Sequence, residues 1–182
     1  MLQMQICRER PTASGLQLEY SKFGAAGGAG RMPCTRTGSL RVSNQCAVRM
    51  SVALSRNMGT DVLGAFRRGG VHGPRCCAGT GAEKVRHITS AENLFTYLRR
   101  TLNFPFVRIS GANDTNSRPG IIYFENCFHR SRDRRRGITE KRGDHIDYWN
   151  GSAYFNAVTG NNAAPADLDL FDRASAVWFY RV

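Results

Sequence analysis

HIDYWNGSAYFN, residues 145–156, sets two short runs of aromatic and polar residues on either side of Asn150-Gly151. Asn-Gly is a preferred pair for a two-residue type I′ turn, because both central positions need a positive φ. The stretch therefore predicts an antiparallel hairpin in which Trp149 faces Ser152, Asp147 faces Tyr154 and His145 faces Asn156. Side chains alternate with a period of two, so His145 and Asp147 share a face. Directly opposed side chains lie about 4.5–5.5 Å apart at Cβ. Two groups are thus available to orient the imidazole: the Asn156 amide and the Asp147 carboxylate. A strand histidine is more often an ordinary half-exposed residue, so a function for His145 requires a partner elsewhere in the chain.

Working outward, further short runs rich in aromatic and β-branched residues predict strands: FVRIS around Val107, GIIYFEN from Gly120, SAYFNAV from Ser152 and AVWFYRV at the C-terminus. Helical patterns come earlier. Residues 44–57, NQCAVRMSVALSRN, can be capped by Ser43 or Asn44, carry Ala47, Met50, Ser51 and Leu54 as a narrow buried stripe, and meet Gly59 at their end. Residues 89–102, TSAENLFTYLRRTL, open with a capping box of Thr89 and Glu92 and place Ala91, Leu94, Phe95, Leu98 and Leu102 on one face. Helices first and antiparallel strands later predict an α+β fold. The 182 residues suffice for one domain with a sizeable core. Residues 1–42 read as a lead-in, and residues 43–182 as the domain. The glycine-rich GAAGGAG from Gly24 to Gly30 lacks the Gly-Lys-Ser/Thr ending of a phosphate loop.

Lys and Arg number 26 against 14 Asp and Glu, a net charge of +12, and RSRDRRR from Arg130 to Arg136 concentrates it. Such a field favours polyanions, although a solvated loop accounts for the run equally well. A basic nucleic-acid-binding module is the rival reading, but no recognition motif supports it. No stretch approaches the roughly 20 apolar residues of a membrane span. The N-terminal MLQMQICRERP lacks the apolar core of a signal peptide, so export would depend on other machinery.

Six cysteines, at positions 7, 34, 46, 76, 77 and 127, lack the paired spacings of a zinc site, and no metal is expected. A disulfide among Cys7, Cys34, Cys76, Cys77 and Cys127 is left open by the sequence. Cys46 differs in opening a helix, where unpaired amides and aligned peptide dipoles favour a thiolate. A lone cysteine is more often a small buried apolar residue. A thiol nucleophile also needs a base within hydrogen-bond reach and a third group to hold that base. His72, His87 and His129 lack surroundings comparable to those of His145.

Taken together, NQCAVRMSVAL, then GIIYF, then HIDYWNG resemble the amidase effector family 4 of bacterial type VI secretion. These toxins have a papain-like, NlpC-type fold, with a catalytic helix packed on an antiparallel β-sheet. Members carry an Asn-x-Cys-Ala-x-Arg-Met-Ser helix start and a Gly-His-x-x-Leu-Trp-Asn-Gly hairpin. The resemblance implies hydrolysis of the amide between the γ-carboxyl of D-glutamate and meso-diaminopimelate in peptidoglycan stem peptides. It implies Cys46 as nucleophile, His145 as general base and then acid, and Asn156 at the third position, with Asp147 as the alternative. Asn44 and Gln45 would assist the oxyanion, and Arg49 would contact substrate carboxylates or neighbouring loops.

The expected partners are the stem peptide, a cognate immunity protein and the type VI machinery. Neither an organic cofactor nor nucleic acid is required. The site of action would be the periplasm of a target bacterium, reached without a signal peptide. Two positions depart from the family. Asn156 stands where members have an acidic residue, and Asp144 stands where they have glycine. A carboxylate at position 144 would either raise the His145 pKa or face solvent. The two departures also leave room for a catalytically inactive, muropeptide-binding relative.

Overall fold

The computed structural model describes residues 10–24, 46–58, 75–76, 87–154 and 170–182. Four strands, β3 (Val107–Ile109), β4 (Gly120–Phe128), β5 (Gly143–Trp149) and β6 (Ala176–Arg181), form one sheet in the order β3-β6-β4-β5, antiparallel throughout. Before them in the chain come β1 (Arg75–Cys76) and β2 (His87–Ile88), which pair with each other in an antiparallel sheet of their own among the described residues. The α+β expectation holds.

Alternation along the strands divides the core in two. Ile121, Tyr123, Ile146, Tyr148 and Tyr180 join one cluster with the helices. Ile122, Phe124, Trp149, Val177 and Phe179 join a second cluster on the other face. That face is covered by the short helix α4 (Leu170–Arg173), which supplies Phe171. Trp149 is fully enclosed there, its ring 5.9 Å from Phe171, so it serves packing.

Helix α2 (Cys46–Asn57) is buried along its whole length from Cys46 to Leu54, more than the narrow stripe predicted. It lies against β5, an edge strand of the sheet among the described residues. The helix predicted over 89–102 begins one residue later than its expected cap. In α3 (Ala91–Thr96) the cap is Ser90, whose hydroxyl accepts the Asn93 amide at 3.3 Å, in place of Thr89. The helix then widens into a π-helical turn, Tyr97–Thr101, closed by Leu102 N–H donating to the Tyr97 carbonyl at 3.1 Å. All five residues of its predicted face are buried. Phe95 stacks on Tyr123 at 4.1 Å, which fastens this helix to β4. Full burial of a side chain such as Leu94 or Leu98 contributes about 2 kcal/mol.

Within the stretch read as a lead-in lies α1 (Ala13–Gly24). Thr12 caps it, with its hydroxyl accepting the Gly15 amide at 3.1 Å. Leu16 and Tyr20 are almost fully buried, and Glu19 pairs with Arg56 of α2 at 3.1 Å. The Tyr148 hydroxyl donates to the Ala13 carbonyl at 3.2 Å, which joins the start of α1 to β5.

The predicted type I′ turn is not formed. Only Gly151 takes a positive φ, of 108°, and the strands resume with Trp149 bridged to Tyr154 instead of facing Ser152. The cause is the Asn150 side chain. Its Oδ1 accepts the amides of Ser152 and Ala153, both at 2.9 Å, and the Ser152 hydroxyl at 3.0 Å. That local Asx-type closure competes with the two-residue turn and lengthens the loop. The pairing of Asp147 with Tyr154 is lost with it. Asn156, Asn44, Gln45 and Gly59 lie outside the described residues.

Candidate active site

His145 and Asp147 project from the edge strand, and their backbones pair with Phe124 and Ile122 of β4. Among the described strands β5 pairs with β4 alone, apart from the Trp149–Tyr154 bridge at its end, and α2 packs against it. Immediately before His145 the pairing is interrupted. Phe124 opposes His145 and Phe128 opposes Gly143, so Glu125, Asn126 and Cys127 stand against the single residue Asp144. Asn126 absorbs the excess chain with a φ of 52°. A bulge of this kind bends its strand locally and re-aims neighbouring side chains. Gly143 is required beside it, because a Cβ there would collide with the Phe128 ring.

The imidazole stands between two groups. Nε2 of His145 lies 3.3 Å from Oδ2 of Asp147, and the ring is also hydrogen-bonded to the Cys46 side chain. Enclosure by protein atoms works against a charged ring. The opposing charge and hydrogen bond of Cys46, together with Asp147, outweigh it and push the His145 pKa up to about 10. The arrangement favours a protonated imidazole beside the Cys46 sulfur and the Asp147 carboxylate. Cys46 is 5 % exposed and the His145 side chain 19 %, so the histidine presents the more open edge.

Asp147 is itself enclosed, at 3 % exposure. Its Oδ1 accepts the Tyr148 amide at 2.8 Å, which fixes the carboxylate plane. Of the two orienting groups proposed for His145, Asp147 is in contact with the ring. Arg49, three residues after Cys46 on α2, is buried at 8 % exposure and lies within electrostatic reach of Tyr20.

Asp144 is turned inward and bound to other groups. Its Oδ2 pairs with Arg130 at 3.0 Å, its Oδ1 accepts the Asn126 amide at 2.9 Å, and the Tyr123 hydroxyl also bonds it. The side chain is 8 % exposed and so does not face solvent, and the main groups that shift His145 are Cys46 and Asp147. It ties down the bulge. Arg130, the first arginine of the basic run, is thereby drawn inward, whereas Arg134, Arg135 and Arg136 are exposed. Asp144 and Arg130 also border a cavity of about 480 Å³ walled by Trp178, Arg99 and Glu92.

Cys127 contrasts with Cys46. Its thiol is free, buried and near the Gly143 carbonyl at 3.5 Å, and burial pushes its pKa up to about 12. It takes no part in the disulfide left open by the sequence. Cys7, Cys34 and Cys77 lie outside the described residues, as does the Cys76 side chain. No group of three or more His, Cys, Asp and Glu side chains is arranged to hold a metal among the described residues.

Residues 42–180 match the family described as type VI secretion system (T6SS), amidase effector protein 4. The chain belongs to this family. Its fold is shared with solved Tae4 structures. The Tae4 of a Tae4–Tai4 effector-immunity complex from Salmonella Typhimurium matches with a TM-score of 0.58 and 19 % identity, over 96 % of this chain and 99 % of that one. Tae4 from Enterobacter cloacae matches with a TM-score of 0.56 and 15 % identity, over 96 % and 98 %. Among curated proteins, none matches the sequence. The chain is thus a type VI amidase effector with the mixed helix and antiparallel-sheet fold of Tae4. Among the described residues, no helix is long and apolar enough to cross a membrane.

Proposed function

We propose that this amidase effector cuts the γ-D-glutamyl–meso-diaminopimelate amide of peptidoglycan stem peptides by thiol catalysis. Cys46 acts as nucleophile, His145 as acid and base, and Asp147 as the group that orients the ring. The observation that carries the reading is His145, bonded on one side to Cys46 and on the other to the buried Asp147. Thiol, imidazole and a third polar group in that order form the arrangement of papain-like amide hydrolysis. Asn156, the third member implied by the resemblance, is the alternative to Asp147.

In the first half-reaction the Cys46 sulfur forms a bond to the amide carbonyl carbon, whose π electrons move to oxygen. The oxyanion is met by the Cys46 backbone amide at the start of α2, flanked by Asn44 and Gln45. Collapse breaks the C–N bond as His145 gives its proton to the departing diaminopimelate amine. Water then attacks the thioester, losing a proton to His145, and the glutamyl carboxylate leaves with the thiol restored. The protein would be delivered by the type VI machinery to the periplasm of a target bacterium. The effector-immunity complexes among its structural neighbours support a cognate immunity protein as partner.

The test is mass spectrometry of muropeptides after digestion of isolated sacculi. Wild-type protein releases peptides with a new diaminopimelate amine, and Cys46→Ala releases none. Full activity of Cys46→Ala would overturn the mechanism, and cleavage at a different bond would overturn the substrate. Asn156→Ala and Asp147→Ala, compared in the same assay, decide the third residue.

A further inference from the structure

The cavity of about 480 Å³ bordered by Asp144 is walled by Phe95 and Tyr123 of the helix-side core cluster, to which Cys46 also belongs. Asp144 directly precedes His145, and neighbouring Cα atoms are about 3.8 Å apart, so the cavity adjoins the candidate active site.

Its lining sets charges of both signs around an aromatic wall. Trp178 pairs with Tyr123 across β6 and β4, and the Arg99 guanidinium lies 4.3 Å from the centre of the Trp178 ring. Stacking of this kind fixes the guanidinium plane and leaves its N–H fork free for a planar anion. Arg130 and Asp144 neutralise one another at 3.0 Å, whereas Arg99, Glu92 and Glu125 line the cavity with no ion-pair partner among the described residues. The Trp178 indole N–H is buried without an acceptor. Such a donor is uncommon in a native fold and marks a place where a ligand oxygen would be stabilising.

An unpaired guanidinium, an unpaired N–H and two unpaired carboxylates suit a ligand that carries both a carboxylate and an ammonium. Diaminopimelate, on the leaving side of the proposed cleavage, ends in such a group. That far amino-acid centre is four carbon–carbon bonds from the centre attached to the scissile nitrogen, about 5 Å when extended. We propose that this cavity is the specificity site for the far end of diaminopimelate, with Arg99 and the Trp178 indole N–H meeting its carboxylate and Glu92 and Glu125 its ammonium. The inference deepens the function proposed above and rests on it.

The test compares two synthetic stem peptides that differ only at the residue after D-glutamate. One carries meso-diaminopimelate; the other carries L-lysine, which keeps the ammonium and lacks the carboxylate. The readout is the ratio of kcat/KM for the two peptides, from which any loss of folded protein cancels. Wild-type protein is expected to favour the diaminopimelate peptide, and Arg99→Gln to lower the ratio about tenfold, the scale of one hydrogen bond to a charged group. Arg100→Gln removes the same charge from an exposed neighbour outside the cavity and is expected to leave the ratio in place. Should Arg99→Gln fail to fold, Arg99→Lys, which keeps the charge and loses the fork, is expected to lower the same ratio. An unchanged ratio in the Arg99 variant would overturn the inference, as would an equal fall in Arg100→Gln, which marks an effect of overall charge. Failure of the wild type to cut the diaminopimelate peptide at its γ-D-glutamyl bond would instead overturn the proposed reaction, and the inference with it.

Discussion

Asp144 and Asp147 lie three residues apart on one strand, and they are built into different networks. Asp147 is held by a backbone amide and the His145 ring, beside the Cys46 thiol. Asp144 faces an arginine, a tyrosine hydroxyl and the amide of a bulged asparagine. Odd spacing on a strand sends the two side chains to opposite faces. Both carboxylates are well buried, so burial does not distinguish them; the groups they meet do. One is joined to a proton-carrying ring, and the other to a permanently charged guanidinium that moves no proton.

The comparison breaks most directly at the level of turnover. Asp147→Ala is expected to lower kcat on the order of 100-fold, because an imidazole without its orienting partner samples the wrong tautomer and angle. Asp144→Ala is expected to stay within a few-fold of wild type at a temperature where it remains folded. Steady-state muropeptide release by both variants measures the contrast. Equal losses would erase the distinction.

A second difference concerns pH. His145 holds its proton up to about pH 10, and that proton is the one given to the leaving amine. The rate should therefore have an alkaline limb near pH 10, falling as the imidazolium is lost. Asp147 is among the groups that raise this pKa, so Asp147→Asn should move the limb to lower pH. Asp144→Asn should leave it in place. A kcat/KM profile extended above pH 9 reads both.

Stability reverses the roles. Asp144→Ala strips the partner from Arg130 and the acceptor from the Asn126 amide, at an expected cost of about 1–3 kcal/mol in denaturant unfolding. The loss centres on the bulge that precedes His145. A variant as stable as the wild type would show that the bulge holds without its carboxylate.

Much of this was legible before the fold was known. The strands of the sheet announced themselves as short aromatic and β-branched runs, and Cys46 by opening an apolar helical run. What escaped were features decided by competition or distance. Asn150-Gly151 suits a tight turn, but whether the asparagine side chain captures the following amides depends on geometry that a dipeptide does not encode. Thr89 and Ser90 are both competent caps, and the sequence does not rank neighbours of equal chemistry. Asp144 could not be assigned to Arg130 because the run RSRDRRR offers several identical arginines. Helix α1 shows a weak apolar signal, with few buried positions such as Leu16 and Tyr20 and an exposed Leu18 between them. Tyr20 meets the Tyr148 ring only through tertiary folding.

The smallest effect sharpens the same contrast within the basic loop. Arg142 pairs with Glu140 at 3.4 Å, close in distance to Arg130 and Asp144, but the two side chains are 55 % and 70 % exposed. An exposed pair gains little from Coulomb attraction in high dielectric, loses side-chain freedom and is screened by salt. Glu140→Gln is accordingly expected to leave the unfolding midpoint unchanged within error at 0.15 M salt, whereas Asp144→Asn lowers it. Because both changes remove one negative charge from a strongly basic protein, the difference between them isolates the contribution of enclosure and hydrogen bonding. If Glu140→Gln proved equally destabilising, the loop's overall charge, and not the buried contact at the bulge, would be setting the stability of the strand that carries His145.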